Sequence, residues 1–264
     1  MDSTVTIAPQ GILPLSLDNV SYEIGGMLLI KKMTLALEAG TLTVIMGPNG
    51  AGKSLLLRLC HGLIMPSSGR IKWQGPLASN PQAHQAMVFQ RPVMLRRSVK
   101  ANLTHGLKHR GVSRAEKNHM AEDMLQRTGL TRLAKVPARR LSYGEQQRLA
   151  VARAWLLDPE VLFMDEPTAA LDPAATHALE EIVDAIRQSG TKIIMSTHDL
   201  GQAKRLADDV LFLYRGRLLE HSAASSFFEK PDNDLAQAFL RGELLWWNRK
   251  DLKPPDDLKE RWQK

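Results

Sequence analysis

The sequence predicts an α/β protein with a mostly parallel central sheet, an N-terminal antiparallel β-subdomain and an α-helical subdomain. Three observations predict this architecture. Strand signals alternate with helix-periodic segments over residues 161–213, as in parallel strands joined by helical crossovers. Residues 15–37 alternate apolar and polar positions around a Gly-Gly pair, which indicates two antiparallel edge strands. Residues 91–156 are dominated by helix signals.

After the edge strands, residues 43–46 form a short apolar run that is typical of a buried strand. A glycine-rich loop follows, and residues 55–60 continue as good helix formers. The segment 66–69 is a turn, and the strands 70–73 and 86–89 come after it.

The helical stretch contains two Ser-x-x-Glu capping boxes, each a signal for a helix start. We expect the helix after Ser113 to run through Thr128 and the helix after Ser142 to end at Asp158-Pro159. Beyond it, the pattern predicts strands 161–164, 192–196 and 210–213, helices 174–188 and 200–207, a hairpin turn at 214–217, and a last helix 234–244 before a charged tail containing Trp246-Trp247.

Composition narrows the class of protein. The chain has 264 residues, a formal net charge of +7 and a single cysteine, Cys60, so neither an internal disulfide nor a Cys-x-x-Cys metal site is possible. No apolar stretch reaches the roughly 18 residues that span a bilayer, and the first residues lack a secretory signal, so we expect a cytoplasmic protein. Basic residues greatly outnumber acids between Arg91 and Arg153, which favours nucleic acid, an anionic membrane surface or a solvated face.

The segment 47–54 fits G-x-x-x-x-G-K-[ST] between a predicted strand and a predicted helix. Its glycines allow the backbone N–H groups to surround an anion, and the helix adds its positive dipole end. Lysine supplies a charge for the outer phosphates, and serine a hydroxyl for Mg²⁺. The pattern therefore predicts a nucleoside triphosphate site, against the alternative of a glycine-rich turn with a chance lysine; its residues are Gly47, Pro48, Asn49, Gly50, Ala51, Gly52, Lys53 and Ser54.

Two carboxylates, Asp165 and Glu166, follow the predicted strand 161–164. Ligands of parallel sheets bind at the carboxyl ends of the strands. One carboxylate there can help to hold Mg²⁺ while the other orients a water and accepts its proton. The alternative is an ordinary acidic loop.

In order and spacing, these motifs resemble the ATP-binding subunits of ABC transporters over residues 15–240; the matching positions are Tyr22, 47–54, Gln90, 141–145, 165–166, 170–172 and His198. The resemblance implies a P-loop NTPase core of ABC type. It places a single ABC ATPase domain at 15–230, with its helical subdomain at about 91–156, and a C-terminal helix and tail at 231–264.

The resemblance also implies roles for the site residues. Glu166 is expected to be the general base, with His198 holding the γ-phosphate and the attacking water. Gln90 would reach Mg²⁺ or that water through its amide oxygen, or only close a strand end. Ser54 and Asp165 would hold Mg²⁺. Tyr22 would stack on adenine, with half-buried sheet packing as the alternative.

In the family, the helix end at Ser142, Gly144 and Glu145 completes the nucleotide site of a second copy, so that a homodimer encloses two ATP molecules. Asp172 would lie at the same interface between the two copies. Two positions depart from the family pattern. Tyr143 replaces the first of two glycines, so it needs an open backbone and can alter contact with the γ-phosphate. Leu55 replaces a threonine that would bond the α-phosphate.

The resemblance implies an ATPase that powers import through a separate transmembrane permease, aided by an extracytoplasmic binding protein, at the cytoplasmic side of the inner membrane. Tungstate or a related oxyanion is the expected cargo, with phosphate or an amino acid as alternatives. A nucleic-acid-linked ATPase of the same superfamily and a small-molecule P-loop kinase are the competing classes. No nucleic acid partner is expected.

Overall fold

The structure is a computed structural model that describes residues 11–109 and 111–243. Its strands are β1 (Leu15–Ile24), β2 (Met27–Leu37), β3 (Leu42–Met46), β4 (Ser68–Trp73), β5 (Gln85–Val88), β6 (Val161–Asp165), β7 (Lys192–Ser196), β8 (Asp209–Tyr214) and β9 (Arg217–Ala223). Its α-helices are α1 (Lys53–His61), α2 (Val99–Gly106), α3 (Arg114–Arg127), α4 (Tyr143–Trp155), α5 (Pro173–Gln188), α6 (Leu200–Leu206), α7 (Ala224–Glu229) and α8 (Asp234–Leu240).

The strands form two sheets, which confirms the predicted fold class. A six-stranded sheet has the order β5-β6-β7-β3-β8-β9, and only its edge strand β9 is antiparallel. An antiparallel three-stranded sheet has the order β2-β1-β4. The strands β3, β6 and β7 are buried along their whole length, as expected when helices or a second sheet cover both faces of a parallel sheet.

Two apolar clusters lie on the two sides of the large sheet. One cluster joins its strands to helices α2 to α6 and to the C-terminal helices α7 and α8. The other joins the opposite face to α1 and to the antiparallel sheet, with Phe163 and Ile45 among its fully buried members. The sheet is therefore the shared wall between the helical layer and the β-subdomain.

The predicted helix bounds are mostly close to those observed. Both capping boxes are followed by helices, α3 and α4, and Asp158 has the left-handed backbone (φ 48°) that follows the end of α4. Helix α8 ends at Leu240 and not at 244, because the chain turns at Gly242 with φ 72°. The tail residues Trp246 and Trp247 lie outside the described residues.

A buried polar network lies at the amino-terminal edge of the large sheet. Lys192 is 1% exposed, and its ammonium donates to the hydroxyls of Thr41 and Thr43. Burial lowers the pKa of Lys192. Asp209 accepts from Thr43 at 2.8 Å and lies 2.8 Å from His221; burial opposes its ionisation, but these hydrogen bonds and the charge of Lys192 leave its pKa below the usual value. This network lies at the opposite end of the strands from the candidate site.

None of the helices within the described ranges is long and apolar enough to cross a bilayer.

Candidate active site

The loop after β3, the end of β6 and the loop after β7 meet at the carboxyl edge of the large sheet, because these three strands are parallel neighbours. A cavity of about 630 Å³ opens there. It is lined by Leu29, Asn49, Gly50, Ala51, Gly52, Lys53, Ser54, Leu55, Gln90, Glu166, Ala169 and His198. Residues separated by more than 140 positions in the chain therefore share one site.

Two glycines of the phosphate loop are required by the local geometry. Gly47 has φ 143°, and a Cβ there would lie 2.1 Å from the Leu213 carbonyl oxygen. Gly52 has φ 105°, and its Cβ would lie 2.8 Å from the end of the Ile30 side chain. Since both conformations favour glycine and both positions are crowded, larger residues would distort the loop.

Lys53 is the first residue of α1 and is 6% exposed. Its ammonium donates to the Gly47 carbonyl at 3.0 Å and lies 3.3 Å from a Glu166 carboxylate oxygen. The lysine charge is therefore held between the phosphate loop and the carboxylate at the end of β6. The amino-terminal dipole of α1 adds positive potential at the same place.

Asp165 is 3% exposed and is held by two hydroxyls. Ser54 and Ser196 donate to the same carboxylate oxygen, at 2.7 Å and 2.8 Å. Asp165 and Ser196 are paired in register between β6 and β7, which explains why a serine at the end of β7 reaches this carboxylate. The sequence-based prediction assigned no role to Ser196; its position at the end of a strand next to β6 is the signal that could have found it.

Glu166 has a left-handed backbone with φ 42°, which is uncommon for a residue other than glycine. Its N–H donates to both the carbonyl and the hydroxyl of Ser196, at 3.1 Å and 3.0 Å. The backbone turn aims the carboxylate at Lys53 on one side and at His198 on the other, where Nδ1 lies 3.1 Å from the second carboxylate oxygen. His198 is half exposed, whereas Glu166 is mostly buried.

The oxygens at this edge fit a Mg²⁺ ion that is completed by phosphate. Mg²⁺ is usually held by one or two carboxylates together with substrate phosphates and water. Ser54 and Asp165 supply a hydroxyl and a carboxylate at hydrogen-bond distance. Within the described residues, no group of three or more His, Cys, Asp or Glu forms a cage that could hold a metal by itself.

The remaining predicted site residues divide into two groups. Gln90 and Leu55 line the cavity with the phosphate loop. Tyr22 does not line it and packs, half-buried, against the β-subdomain cluster. Sequence reasoning also missed Leu29, an apolar residue of β2 that faces the cavity and carries no motif.

Ser142, Gly144, Glu145 and Asp172 also lie away from the cavity of their own chain. Ser142 and Glu145 form both hydrogen bonds of a capping box at the start of α4, and Asp172 caps α5. A Cβ at Gly144 would lie 3.1 Å from Ala175, so the starts of α4 and α5 pack closely together. The structure thus places these four residues near one another, outside the site that Lys53 and Glu166 share.

A sequence model of the ABC transporter family matches residues 30–169, from β2 to just beyond Glu166. The chain belongs to the ABC transporter family. The matched residues include the complete phosphate loop, Gln90, the capping box at Ser142 and both carboxylates. The chain is accordingly an ATP-binding and ATP-hydrolysing protein of ABC type.

Individual members of the family are similar over most of their length. The tungstate uptake system ATP-binding protein TupC of Peptoclostridium acidaminophilum is 37% identical, over 82% of this chain and all of the relative. The phosphate import ATP-binding protein PstB of Thermotoga maritima is 34% identical, over 87% and 98%. The structure of cbiO1 from Clostridium perfringens, part of the ABC transporter complex cbiONQ, superposes with a TM-score of 0.74 at 28% identity, over 84% and 92%.

Proposed function

We propose that this ABC ATPase powers the import of an oxyanion, tungstate or a chemically related one, through a separate transmembrane permease. The position of Glu166 supports the proposal that this chain hydrolyses ATP. Its carboxylate lies 3.3 Å from Lys53 and 3.1 Å from His198, beside the Asp165–Ser54 pair. A base, a phosphate-binding cation and a metal-binding pair are therefore available at one strand edge.

In this proposal, the N–H groups of residues 47–54 and Lys53 bind the β- and γ-phosphates of ATP. Mg²⁺, held by Ser54 and Asp165 with Gln90 nearby, would neutralise charge on those phosphates when bound. Glu166 accepts a proton from the attacking water, and His198 orients that water and the γ-phosphate. Tyr22 stacks on the adenine from the edge of the β-subdomain.

A second copy of the chain is part of the proposal. The start of α4 at Ser142, Gly144 and Glu145, together with Asp172, lies outside its own cavity and would close the cavity of the second copy. A homodimer would then enclose two ATP molecules, with helix α4 directing its positive dipole end at each γ-phosphate.

A basic surface supports association with an anionic partner at the membrane. Segments 89–100 and 131–143 run side by side, joined by hydrogen bonds from Val99 N to Val136 O and from Ala138 N to Arg97 O. Neither segment contains an acid. Their exposed cations form no ion pair within the described residues; they are Arg91, Arg96, Arg97, Arg132, Lys135, Arg139 and Arg140.

We infer that this basic surface docks cytoplasmic loops of the permease beside the anionic leaflet, where each basic side chain contributes about 1 kcal/mol. Peripheral attachment to the cytoplasmic side of the inner membrane follows, with the extracytoplasmic binding protein acting only indirectly. The oxyanion cargo is proposed from the similarity to the tungstate and phosphate proteins; an amino acid is the alternative cargo.

The test of hydrolysis is Glu166→Gln. We expect ATP turnover to fall by at least 100-fold, because loss of a general base typically removes a factor of 10²–10⁴, while ATP binding persists and dimers accumulate. Glu181→Gln, an exposed glutamate on α5, is the matched control. Undiminished turnover by Glu166→Gln would refute the assignment of the base.

The cargo needs a separate experiment. The extracytoplasmic binding protein of this proposed importer, titrated with tungstate, molybdate, phosphate and glutamate, is expected to bind an oxyanion most tightly. Preference for glutamate would overturn the cargo but not the ATPase. ATP turnover that rises with added RNA or DNA, and loses that rise at high salt, would favour a nucleic-acid-linked ATPase instead.

A further inference from the structure

Tyr143 makes a contact that the family pattern does not provide. It occupies the first position of helix α4, directly after the capping residue Ser142. Its phenolic hydroxyl donates a short hydrogen bond to the main-chain carbonyl of Gln90, 53 positions earlier in the chain. A glycine at position 143 could not form this bond.

The bond ends at a residue of the candidate active site. Gln90 follows strand β5 and lines the same cavity as Lys53, Glu166 and His198. Its side chain is exposed, and no hydrogen bond to its amide is found among the described residues. The position of Gln90 is therefore set by its backbone, and the Tyr143 hydroxyl bonds directly to that backbone.

The other contacts between segments 89–100 and 131–143 lie farther from the cavity. Arg139 donates to the Met94 carbonyl at 3.3 Å, and residues 97–100 are bonded to residues 134–138. The loop from Gln90 to Met94 accepts one hydrogen bond from a side chain at the start of α4 within the described part of the chain, and that bond comes from the Tyr143 hydroxyl. Without it, hydrogen bonds would hold this loop only at its two ends, through the last residue of β5 and through Met94.

We propose that Tyr143 is a positioning residue for ATP hydrolysis: its hydroxyl fixes the Gln90 backbone so that the Gln90 amide reaches the metal and the attacking water. This inference rests on the proposed role of Gln90. Because Tyr143 also begins helix α4, the bond joins the cavity of one copy to the helix end proposed to close the cavity of the other copy. Because the hydroxyl bonds Gln90 of the same chain, the tyrosine acts within its own chain. Its backbone is helical, whereas the sequence predicts an open conformation there.

The test uses Tyr143→Phe, which removes only the hydroxyl, and Gln90→Ala, which removes the side chain that it positions. We expect Tyr143→Phe to lower kcat by roughly three- to tenfold, the range that one net hydrogen bond supplies, with KM for ATP unchanged because the phosphate loop is untouched. In the Gln90→Ala background, adding Tyr143→Phe should have no further effect on kcat. Such non-additivity identifies action through Gln90, since a merely structural loss would add in both backgrounds.

Thr128→Val is the matched control, because it also removes a hydroxyl that donates to a main-chain carbonyl, that of Met124 at 2.7 Å, in the same helical layer. Its kcat should match that of the wild type. The proposal is overturned if Tyr143→Phe retains the wild-type kcat, or if its effect is equal in both backgrounds. Failure of the proposed function gives a different result, namely Glu166→Gln turning over ATP as fast as the wild type.

Discussion

Replacement of Ser196 by alanine tests whether one buried hydroxyl organises both carboxylates. Ser196 is fully buried. Its hydroxyl donates to Asp165 at 2.8 Å and accepts from the Glu166 N–H at 3.0 Å. A hydrogen bond to a charged group contributes about 1.5–3 kcal/mol, whereas the Glu166 N–H keeps the Ser196 carbonyl as a second acceptor. We therefore expect Ser196→Ala to lower the free energy of unfolding by about 2 kcal/mol.

A second effect concerns the metal. Asp165 would keep only Ser54 as a hydroxyl donor, and Ser54 is itself the proposed Mg²⁺ ligand. Residues that orient metal ligands typically change metal affinity or activity by about 10–100-fold when replaced. The Mg²⁺ concentration that gives half-maximal ATP turnover should accordingly rise by roughly tenfold or more.

The assays are urea unfolding followed by circular dichroism and Mg²⁺ titration of ATP turnover. Ser189→Ala is the control, since that hydroxyl donates only to the Ile186 carbonyl at the end of α5. It should lose no more than about 1.5 kcal/mol and keep the wild-type Mg²⁺ dependence. If Ser196→Ala behaves like Ser189→Ala in both assays, the reasoning is wrong.

Three further predictions concern folding and reactivity. Asp209→Asn should destabilise the protein by about 1–3 kcal/mol at pH 7, because His221 loses its bond to a carboxylate and Lys192 loses one of the negative charges near it. Since the pKa of Asp209 is below its ordinary 3.8, urea unfolding at several pH values should show the full difference above about pH 5 and a smaller one as the pH falls lower. Gly47→Ala should cost more than about 2 kcal/mol and abolish ATP binding, measured by calorimetry, because its Cβ would meet the Leu213 carbonyl. Cys60 should resist iodoacetamide at pH 8 until the protein is unfolded, because burial raises its thiol pKa to about 12; rapid labelling of the native protein would contradict this.

The phosphate loop and the carboxylate pair could be predicted from sequence because each is a local pattern whose flanking strand and helix are also local. Parallel pairing then brings Lys53, Glu166 and His198 to one edge, and the structure has this arrangement. The roles of these residues, and the domain bounds 15–230 and 231–264, remain predictions.

Other features depend on contacts that no local pattern reports. The Tyr143 bond to Gln90 and the pairing of Ser196 with Asp165 arise from how separate segments meet. Helix α2 was not predicted individually, since Ser98 caps it without the acidic residue that completes a capping box. The extent of α8 was overestimated because apolar periodicity continues past Gly242, where the backbone turns.

The place of β3 in the large sheet has a consequence for synthesis of the chain. Both of its hydrogen-bonding neighbours, β7 and β8, are translated only after residue 191. Until then, the mostly apolar strand at residues 42–46 leaves the ribosome with two unpaired edges, a state that invites pairing with other nascent polypeptides. We therefore expect premature truncation before β7 to yield aggregates instead of a soluble fragment, even though the entire phosphate loop has already been made.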